Sequence, residues 1–274
     1  MASKLDKNTE ERIRKVLSSM RKLDKKAQDV IVEGLGKKLT LSQIKQRVKM
    51  IEKVAKEVDG SMKAWVKDYV PLQYLDGMNE MNRKIGEKPT TIKALLGGSD
   101  YVAHTNAVKL LMDETYLDFG RTITGVVNGA EKIFDDALRR QLRGKIAKGE
   151  ILGSSVKEIK KDLVDAFQEN GFRVVFNRAG KMVNLEDYSE MLARTNLIKV
   201  SSEGTINRGI EMGFDLMEWI ATEDERECPI CGALDGKVFS ISGQNREYEQ
   251  LTVQPPVHPN CRCTLGPRPD LEPD

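Results

Sequence analysis

The sequence has no long run of apolar residues. Within its 274 residues, no stretch approaches the roughly 20 consecutive apolar residues that a membrane-spanning helix needs. The N-terminus, MASKLDKNTEERIRK, lacks the apolar segment of a signal peptide. With 39% hydrophobic and 31% charged residues, the composition is also unlike that of a disordered chain. We therefore expect a folded protein that is made in a cytoplasm and has no membrane partner.

Residue combinations typical of enzyme active sites are scarce as well. There is no Ser/His/Asp set and no carboxylate pair suited to acid–base catalysis. His104 is the one histidine outside the C-terminal segment, and its place at the start of a predicted helix favours a capping or surface role. Gly97-Gly98 lacks the Lys-Ser/Thr of a phosphate-binding loop, and Trp65 and Trp219 are expected to be packing residues. The sequence therefore predicts a protein without catalytic residues.

Positive charge is concentrated in the N-terminal part, although the net charge is only +2. Residues 1–60 hold 16 Lys/Arg against 9 Asp/Glu, a balance of +7. Such a region can meet DNA phosphates or an acidic protein surface. It can also be the solvated outer side of a helical hairpin. We favour the hairpin, because both signs are mixed there and aromatic residues are absent.

Two apolar stripes predict a pair of helices in this N-terminal part. Within each stripe, apolar residues recur in steps of three and four, as on one face of a helix. The stripes are Ile13, Val16, Met20, Leu23, Ala27 and Val30, then Leu41, Ile44, Val48, Ile51, Ala55 and Val58. Thr40 with Gln43 is a capping start for the second helix, and Asp59-Gly60 is its expected end. We expect an antiparallel hairpin, although the stripes could instead pair with another subunit.

The middle of the chain is predicted to be helical with interruptions. Residues 61–86 have a helical pattern with a break at Pro71. A Gly- and Pro-containing linker at residues 86–100 precedes one long helix, or two in line, over residues 101–148. Ser155 with Glu158 indicates the capping box of a further short helix.

Strand-like runs occur only in the C-terminal part. They cover residues 172–176, 181–183, 216–220 and 237–241, and a helical pattern returns at residues 185–212. The tail, residues 266–274, is rich in proline and acidic residues, so we expect it to be disordered. The sequence thus predicts an α+β fold that is predominantly α-helical, with long helices followed by a small β-containing C-terminal module.

All four cysteines lie within 36 residues near the C-terminus. Cys228 and Cys231 form a C-x-x-C pair, and His258, Cys261 and Cys263 follow as H-x-x-C-x-C. Clustered cysteines in a protein without an export signal indicate a metal site rather than disulfides. Structural zinc takes four ligands. We therefore predict that four of these five residues bind Zn²⁺, among them Cys228 and Cys231, with Cys263 and His258 slightly preferred.

Other roles for these cysteines are open from the residues alone. A cluster of reduced thiols, or a disulfide such as Cys231 with Cys263, would use the same residues. A thioredoxin-like role for Cys228-Pro-Ile-Cys231 is disfavoured, because that motif opens a helix and Gly232 and Gly236 argue against a helix here. A catalytic zinc keeps an open position, whereas this segment offers a full set of protein ligands. We therefore expect a structural zinc.

The motifs around the cysteines resemble those of a known family. In chain order they are Ala193-Arg194-Thr195, Glu218-Trp219-Ile220-Ala221-Thr222, Cys228-Pro229-Ile230-Cys231, Leu234-Asp235-Gly236-Lys237-Val238-Phe239 and His258-Pro259-Asn260-Cys261-Arg262-Cys263. Their order and spacing resemble the C-terminal module of phage Mu F-like minor head proteins, also called phage head morphogenesis proteins. The motifs lie within residues 185–265, and residues 1–95 carry no motif of this family.

The resemblance implies a minor capsid protein of a tailed phage without catalytic activity. Such a protein associates with the portal protein and assists procapsid assembly, DNA packaging or DNA delivery. It is made in the host cytoplasm and resides in the virion, inside the head near the portal vertex. Scaffold or major capsid protein and double-stranded DNA are further expected partners.

Three regions follow from this interpretation. They are an N-terminal helical region (1–95), a head morphogenesis domain (96–265) that ends in a zinc knuckle (216–265), and the tail (266–274). A zinc-knuckle nucleic-acid-binding protein without a capsid role is the main alternative, and a zinc-dependent hydrolase is a weaker one.

Overall fold

The computed structural model describes residues 4–35, 40–146, 173–176, 182–222 and 228–272. Its helices are α1 (Lys4–Leu35), α2 (Leu41–Lys84), α3 (Ile92–Gly97), α4 (Val102–Ile146), α5 (Leu185–Glu211) and the one-turn α6 (Pro229–Gly232). Its strands are β1 (Arg173–Phe176), β2 (Met182–Asn184), β3 (Leu216–Ile220), β4 (Val238–Ser240), β5 (Glu249–Gln250) and β6 (Thr264–Pro267). The predicted α+β, predominantly helical fold is confirmed. The capping box at Ser155 and Glu158 lies outside the described residues.

The chain forms two compact units, each built from separate segments. The first unit comprises Met1–Ile13, Trp65–Thr115 and Met191–Asp274, and the second comprises Arg14–Ala64 and Tyr116–Glu190. The boundary expected near residue 95 therefore falls inside the first unit. None of the described helices is both long enough and apolar enough to cross a bilayer.

The two apolar stripes of the N-terminal part are buried, except that Leu41 is 54% exposed. In the second unit, α1 and α2 run antiparallel. Lys22 pairs with Glu57 at 2.9 Å, and the Arg47 guanidinium donates to the carbonyl oxygen of Val30 at 3.3 Å. The expected hairpin is therefore intramolecular.

Helix α2 continues well beyond the predicted end at Asp59-Gly60 and through the predicted break at Pro71. Both predictions were wrong for the same reason. A glycine costs a helix only about 1 kcal/mol, and the apolar stripe continues past it with Met62 and Trp65, which are both buried. Burial of each large apolar side chain stabilises the helix by about 2 kcal/mol. This stabilisation offsets the local free-energy costs of Gly60 and Pro71.

In the first unit, α2 and α5 cross at two glycines. A Cβ atom on Gly77 would lie 2.1 Å from the carbonyl oxygen of Ser201, and one on Gly204 would lie 2.3 Å from that of Tyr74. The Thr205 hydroxyl donates to the carbonyl oxygen of Gly77 at 3.1 Å. This crossing holds α5, the helix that leads into the cysteine segment, against α2.

The C-terminal sheet has the strand order β5-β4-β3-β6. Its central strand β3 pairs antiparallel with β4 and with β6, and Trp219 lies opposite Leu265. The sequence predicted β3 and β4, as well as β1 and β2, which the structure pairs antiparallel. It did not predict β5 or β6, which are short or contain Gly and Pro.

The tail differs from its prediction over residues 266–272. Strand β6 extends to Pro267, and a 3-10 turn follows at Pro269–Leu271. The Glu272 carboxylate then accepts hydrogen bonds from the backbone N–H groups of Asp215 and Leu216, at 2.6 and 2.7 Å. Pairing with β3 thus orders a segment whose composition alone indicated disorder.

Candidate metal centre

The C-x-x-C pair lies on the one-turn helix α6. Cys228 is the N-cap residue of this helix, and its Sγ accepts a hydrogen bond from the backbone N–H of Cys231 at 3.3 Å. Pro229 occupies the first turn, where the missing N–H of proline is tolerated. The expectation that Gly232 and Gly236 exclude a helix was wrong, since Gly232 is the last helical residue and Gly236 turns the chain afterwards with φ 71°.

The His258 side chain lies beside this pair, although His258 follows Cys231 by 27 residues in the sequence. Its Nε2 lies 3.0 Å from Sγ of Cys228 and 3.0 Å from Sγ of Cys231. Its Nδ1 lies 2.8 Å from the carbonyl oxygen of Pro259. Because a carbonyl only accepts, the proton is on Nδ1, and this hydrogen bond is the main cause that raises the pKa of His258. Nε2 is thereby left facing the sulfurs, as in a metal-ligating histidine.

Cys261 and Cys263 complete the cluster beneath the sheet. Sγ of Cys261 lies 4.0 Å from Sγ of Cys231, and Cys231, Cys261 and Cys263 are all buried. Ligand atoms within 4.8 Å of one another form two groups, Cys228 with Cys231 and His258, and Cys231 with Cys261 and Cys263. The structure therefore brings all five predicted residues together around Cys231. All four cysteines are free thiols, so the alternative disulfide is not found.

The four thiols differ in acidity. The backbone N–H of Cys231 is the main cause that lowers the pKa of Cys228. The side-chain hydrogen bond between Cys261 and Cys263 lowers the pKa of Cys261 to about 5 and raises that of Cys263. Burial raises the pKa of Cys231 to about 12. Neighbouring thiolates repel each other, so a divalent cation is the partner that would let several of them ionise together.

The space between these side chains is small. A cavity of about 20 Å³ is lined by Cys228, Cys231, His258 and Cys263, together with Thr222, Asn260 and Arg262. One water needs at least about 10 Å³ of such volume, so the cavity has room for a single small species. A cavity of about 730 Å³ lies in the second unit between α2 and α4, and no cysteine or histidine lines it.

Residues of the other motifs hold the segment in place. The Asp235 carboxylate accepts a hydrogen bond from the backbone N–H of Ala221 at 2.7 Å. The backbone N–H of Asn260, a residue with φ 61°, donates to the Thr195 hydroxyl at 3.5 Å. Arg194 pairs with Glu10. The Arg-Thr motif of α5 thus contacts both α1 and the H-P-N-C-R-C turn.

The position of His104 differs from its prediction. It is only 4% exposed, with Nδ1 2.9 Å from the Tyr74 hydroxyl and Nε2 3.0 Å from the Glu211 carboxylate. Asn207 donates to the same hydroxyl at 2.8 Å. These partners come from two helices, α2 and α5, and His104 itself lies on α4. A lone histidine in a sequence gives no sign of partners 30 and 107 residues away, and its role here is to join helices.

Comparison with known proteins gives one family. Residues 136–266 match the family model described as Phage Mu protein F like protein. No curated protein and no solved structure matches the chain significantly. The matched residues include α5, the C-terminal sheet and all five residues of the cysteine–histidine cluster. Residues 136–266 of the chain are therefore similar to phage Mu protein F-like proteins.

Proposed function

We propose that this protein is a minor capsid protein of a tailed phage that associates with the portal protein and assists procapsid assembly, DNA packaging or DNA delivery. The observation that carries the proposal is that the family match over residues 136–266 contains the whole ligand cluster. The proposed location is the head interior near the portal vertex. Scaffold or major capsid protein is a further partner on the same ground.

A structural zinc ion is the second part of the proposal. The donor set of thiols and an imidazole is the one that zinc prefers, and the cavity among the side chains has room for a single ion. Cys228, Cys231, His258 and Cys263 line that cavity, whereas Cys261 does not. We therefore assign the first four as ligands and Cys261 as their buried neighbour.

The size of the site favours a structural role for the metal over catalysis. A cavity of about 20 Å³ has no space for a substrate beside the ion, and four protein ligands leave no open position. The zinc hydrolase alternative predicts that chelation abolishes turnover while the fold survives. The structural role predicts faster backbone hydrogen exchange at residues 216–222, 228–240 and 258–267 after chelation, with unchanged exchange at residues 44–58. Equal exchange with and without the metal would contradict it.

The capsid role is tested by assembly. The chain is produced together with the portal, scaffold and major capsid proteins of the same phage, and its copies per procapsid are measured by quantitative mass spectrometry. We expect incorporation that is lost when the portal protein is omitted. Incorporation at the same level without the portal protein would contradict portal association. Absence from procapsids of any composition would contradict the capsid role and favour the nucleic-acid-binding alternative.

A basic face on α2 supports DNA as an additional partner. Five exposed lysines recur at helical spacing on one side of this helix: Lys45, Lys49, Lys53, Lys56 and Lys63. At about 1.5 Å per residue, they span about 27 Å. Within the part of the chain that the structure describes, none of the five forms a salt bridge, although Lys53 interacts electrostatically with Glu57. A row of unpaired cations is suited to the phosphates of double-stranded DNA, where binding releases counterions.

A further inference from the structure

Trp219 combines burial with an unpaired polar atom. Its side chain is completely buried, yet the indole Nε1 has no hydrogen-bond partner among the described residues. An indole N–H only donates, and a buried donor without an acceptor is costly. The other tryptophan shows the usual solution, since Nε1 of Trp65 donates to the carbonyl oxygen of Arg12 at 3.0 Å.

The strand register places Trp219 beside the metal ligands. Trp219 on β3 lies opposite Leu265 on β6, and directly opposed residues point to the same face of a sheet. Cys263 precedes Leu265 by two residues and therefore lies on that same face. Trp219, Cys261 and Cys263 belong to one buried cluster.

The charge on the sulfur determines how strongly it can accept a hydrogen bond from the indole N–H. A neutral thiol is a weak acceptor, whereas a metal-bound thiolate carries negative charge and accepts strongly. We propose that Trp219 is a positioning residue of the metal centre, whose Nε1–H donates to Sγ of Cys263 when that sulfur is a zinc-bound thiolate. This inference rests on the proposed zinc site.

The first test compares two tryptophan variants. Trp219→Phe keeps an aromatic ring but removes the donor, and Trp65→Phe removes a buried indole N–H whose acceptor is the carbonyl oxygen of Arg12, outside the cluster. Zinc affinity is measured by competition with a chromophoric chelator. We expect a loss of about 10- to 100-fold for Trp219→Phe, as for other groups that support metal ligands, and unchanged affinity for Trp65→Phe. With Co²⁺ in place of zinc, the sulfur-to-metal charge-transfer band of Trp219→Phe should move to longer wavelength, because its thiolate has lost a hydrogen bond.

The second test uses the unaltered chain and does not depend on the folding of a variant. The two indole N–H signals are followed by ¹⁵N NMR during zinc addition and are assigned with Trp65→Phe. We expect the Trp219 proton to move downfield and the Trp65 proton to stay. With ¹¹³Cd²⁺ as the metal, coupling between this proton and cadmium would show the hydrogen bond directly. An unmoved Trp219 proton in a chain that binds one metal ion overturns the inference. A chain that binds no metal overturns the zinc site itself, which metal analysis detects separately.

Discussion

Nε2 of His258 lies 3.0 Å from Sγ of Cys231, although 27 residues separate them in the sequence. This contact joins the C-x-x-C half of the cluster to the H-x-x-C-x-C half. Its geometry depends on the neighbouring residue, because the carbonyl oxygen of Pro259 accepts the hydrogen bond from Nδ1 of the same ring. The ring is thus held with a lone pair toward the sulfurs.

Single substitutions in the cluster should distinguish the proposed zinc ligands from Cys261, which lies beside them. We expect Cys228→Ser and Cys263→Ser to lose stoichiometric zinc, because each removes one of four ligands. Cys261→Ser is the matched control, since it removes a buried thiol that does not line the cavity. It should retain one zinc per chain. Metal content is measured by mass spectrometry of the purified proteins. Loss of zinc in Cys261→Ser with retention in Cys263→Ser would reverse the assignment.

The helix crossing at Gly77 should be intolerant of any side chain. Its Cβ position lies 2.1 Å from the carbonyl oxygen of Ser201, so Gly77→Ala forces α2 and α5 apart. We expect a loss of about 3 kcal/mol in the free energy of unfolding, as for overpacked cores. Gly60→Ala on the same helix is the control, because nothing lies within 4 Å of its Cβ position. It should gain about 1 kcal/mol. Urea unfolding measures both changes, and equal effects would contradict the close crossing.

Glu211 should make the stability of the first unit sensitive to acid. Burial opposes its ionisation, but hydrogen bonds from Arg208 and His104 outweigh burial and lower its pKa below 4.5. A carboxyl whose pKa is lowered on folding contributes stability that is present above its unfolded pKa and is lost as pH falls through the folded pKa. Glu211→Gln should therefore be less stable at pH 7 and approach the unaltered chain in stability below about pH 4.

Thermal unfolding between pH 3 and pH 7 measures this difference. Glu87→Gln removes an exposed carboxylate and serves as its control. If the difference in stability between Glu211→Gln and the unaltered chain stays constant over this range, the ionised carboxylate is excluded as its cause.

The lysine face of α2 should govern the salt dependence of DNA binding. A variant with Lys45, Lys49, Lys53 and Lys56 all changed to Gln should bind duplex DNA more weakly. The slope of log affinity against log salt should fall by about one for each lost phosphate contact. Fluorescence anisotropy from 50 to 200 mM salt covers the useful range.

The control variant removes the same number of positive charges from exposed positions outside the lysine face. It changes four exposed residues to Gln: Lys88, Lys93, Lys109 and Arg246. Equal slopes for the two variants would show a response to net charge rather than to this face.

Features that depend on local spacing could be predicted from the sequence. Apolar residues in steps of three and four marked the α1–α2 hairpin, and the C-x-x-C and H-P-N-C-R-C motifs marked the five residues that the structure brings together. Thr40 with Gln43 also formed the expected capping pair, with Gln43 N–H donating to the Thr40 hydroxyl at 3.3 Å. These predictions succeeded because each depends on residues close together in the chain.

Features that depend on distant partners could not be predicted from the sequence and are set by the tertiary structure. It carried α2 through Gly60 and Pro71, because burial along the whole helix exceeds the local cost at either residue. It placed His104 between Tyr74 and Glu211 rather than at the surface. It ordered the tail by pairing β6 with β3, and it brought the buried N–H of Trp219 to the face that carries Cys263. Spacing along a chain cannot report such relationships, because they arise when separate segments share one core.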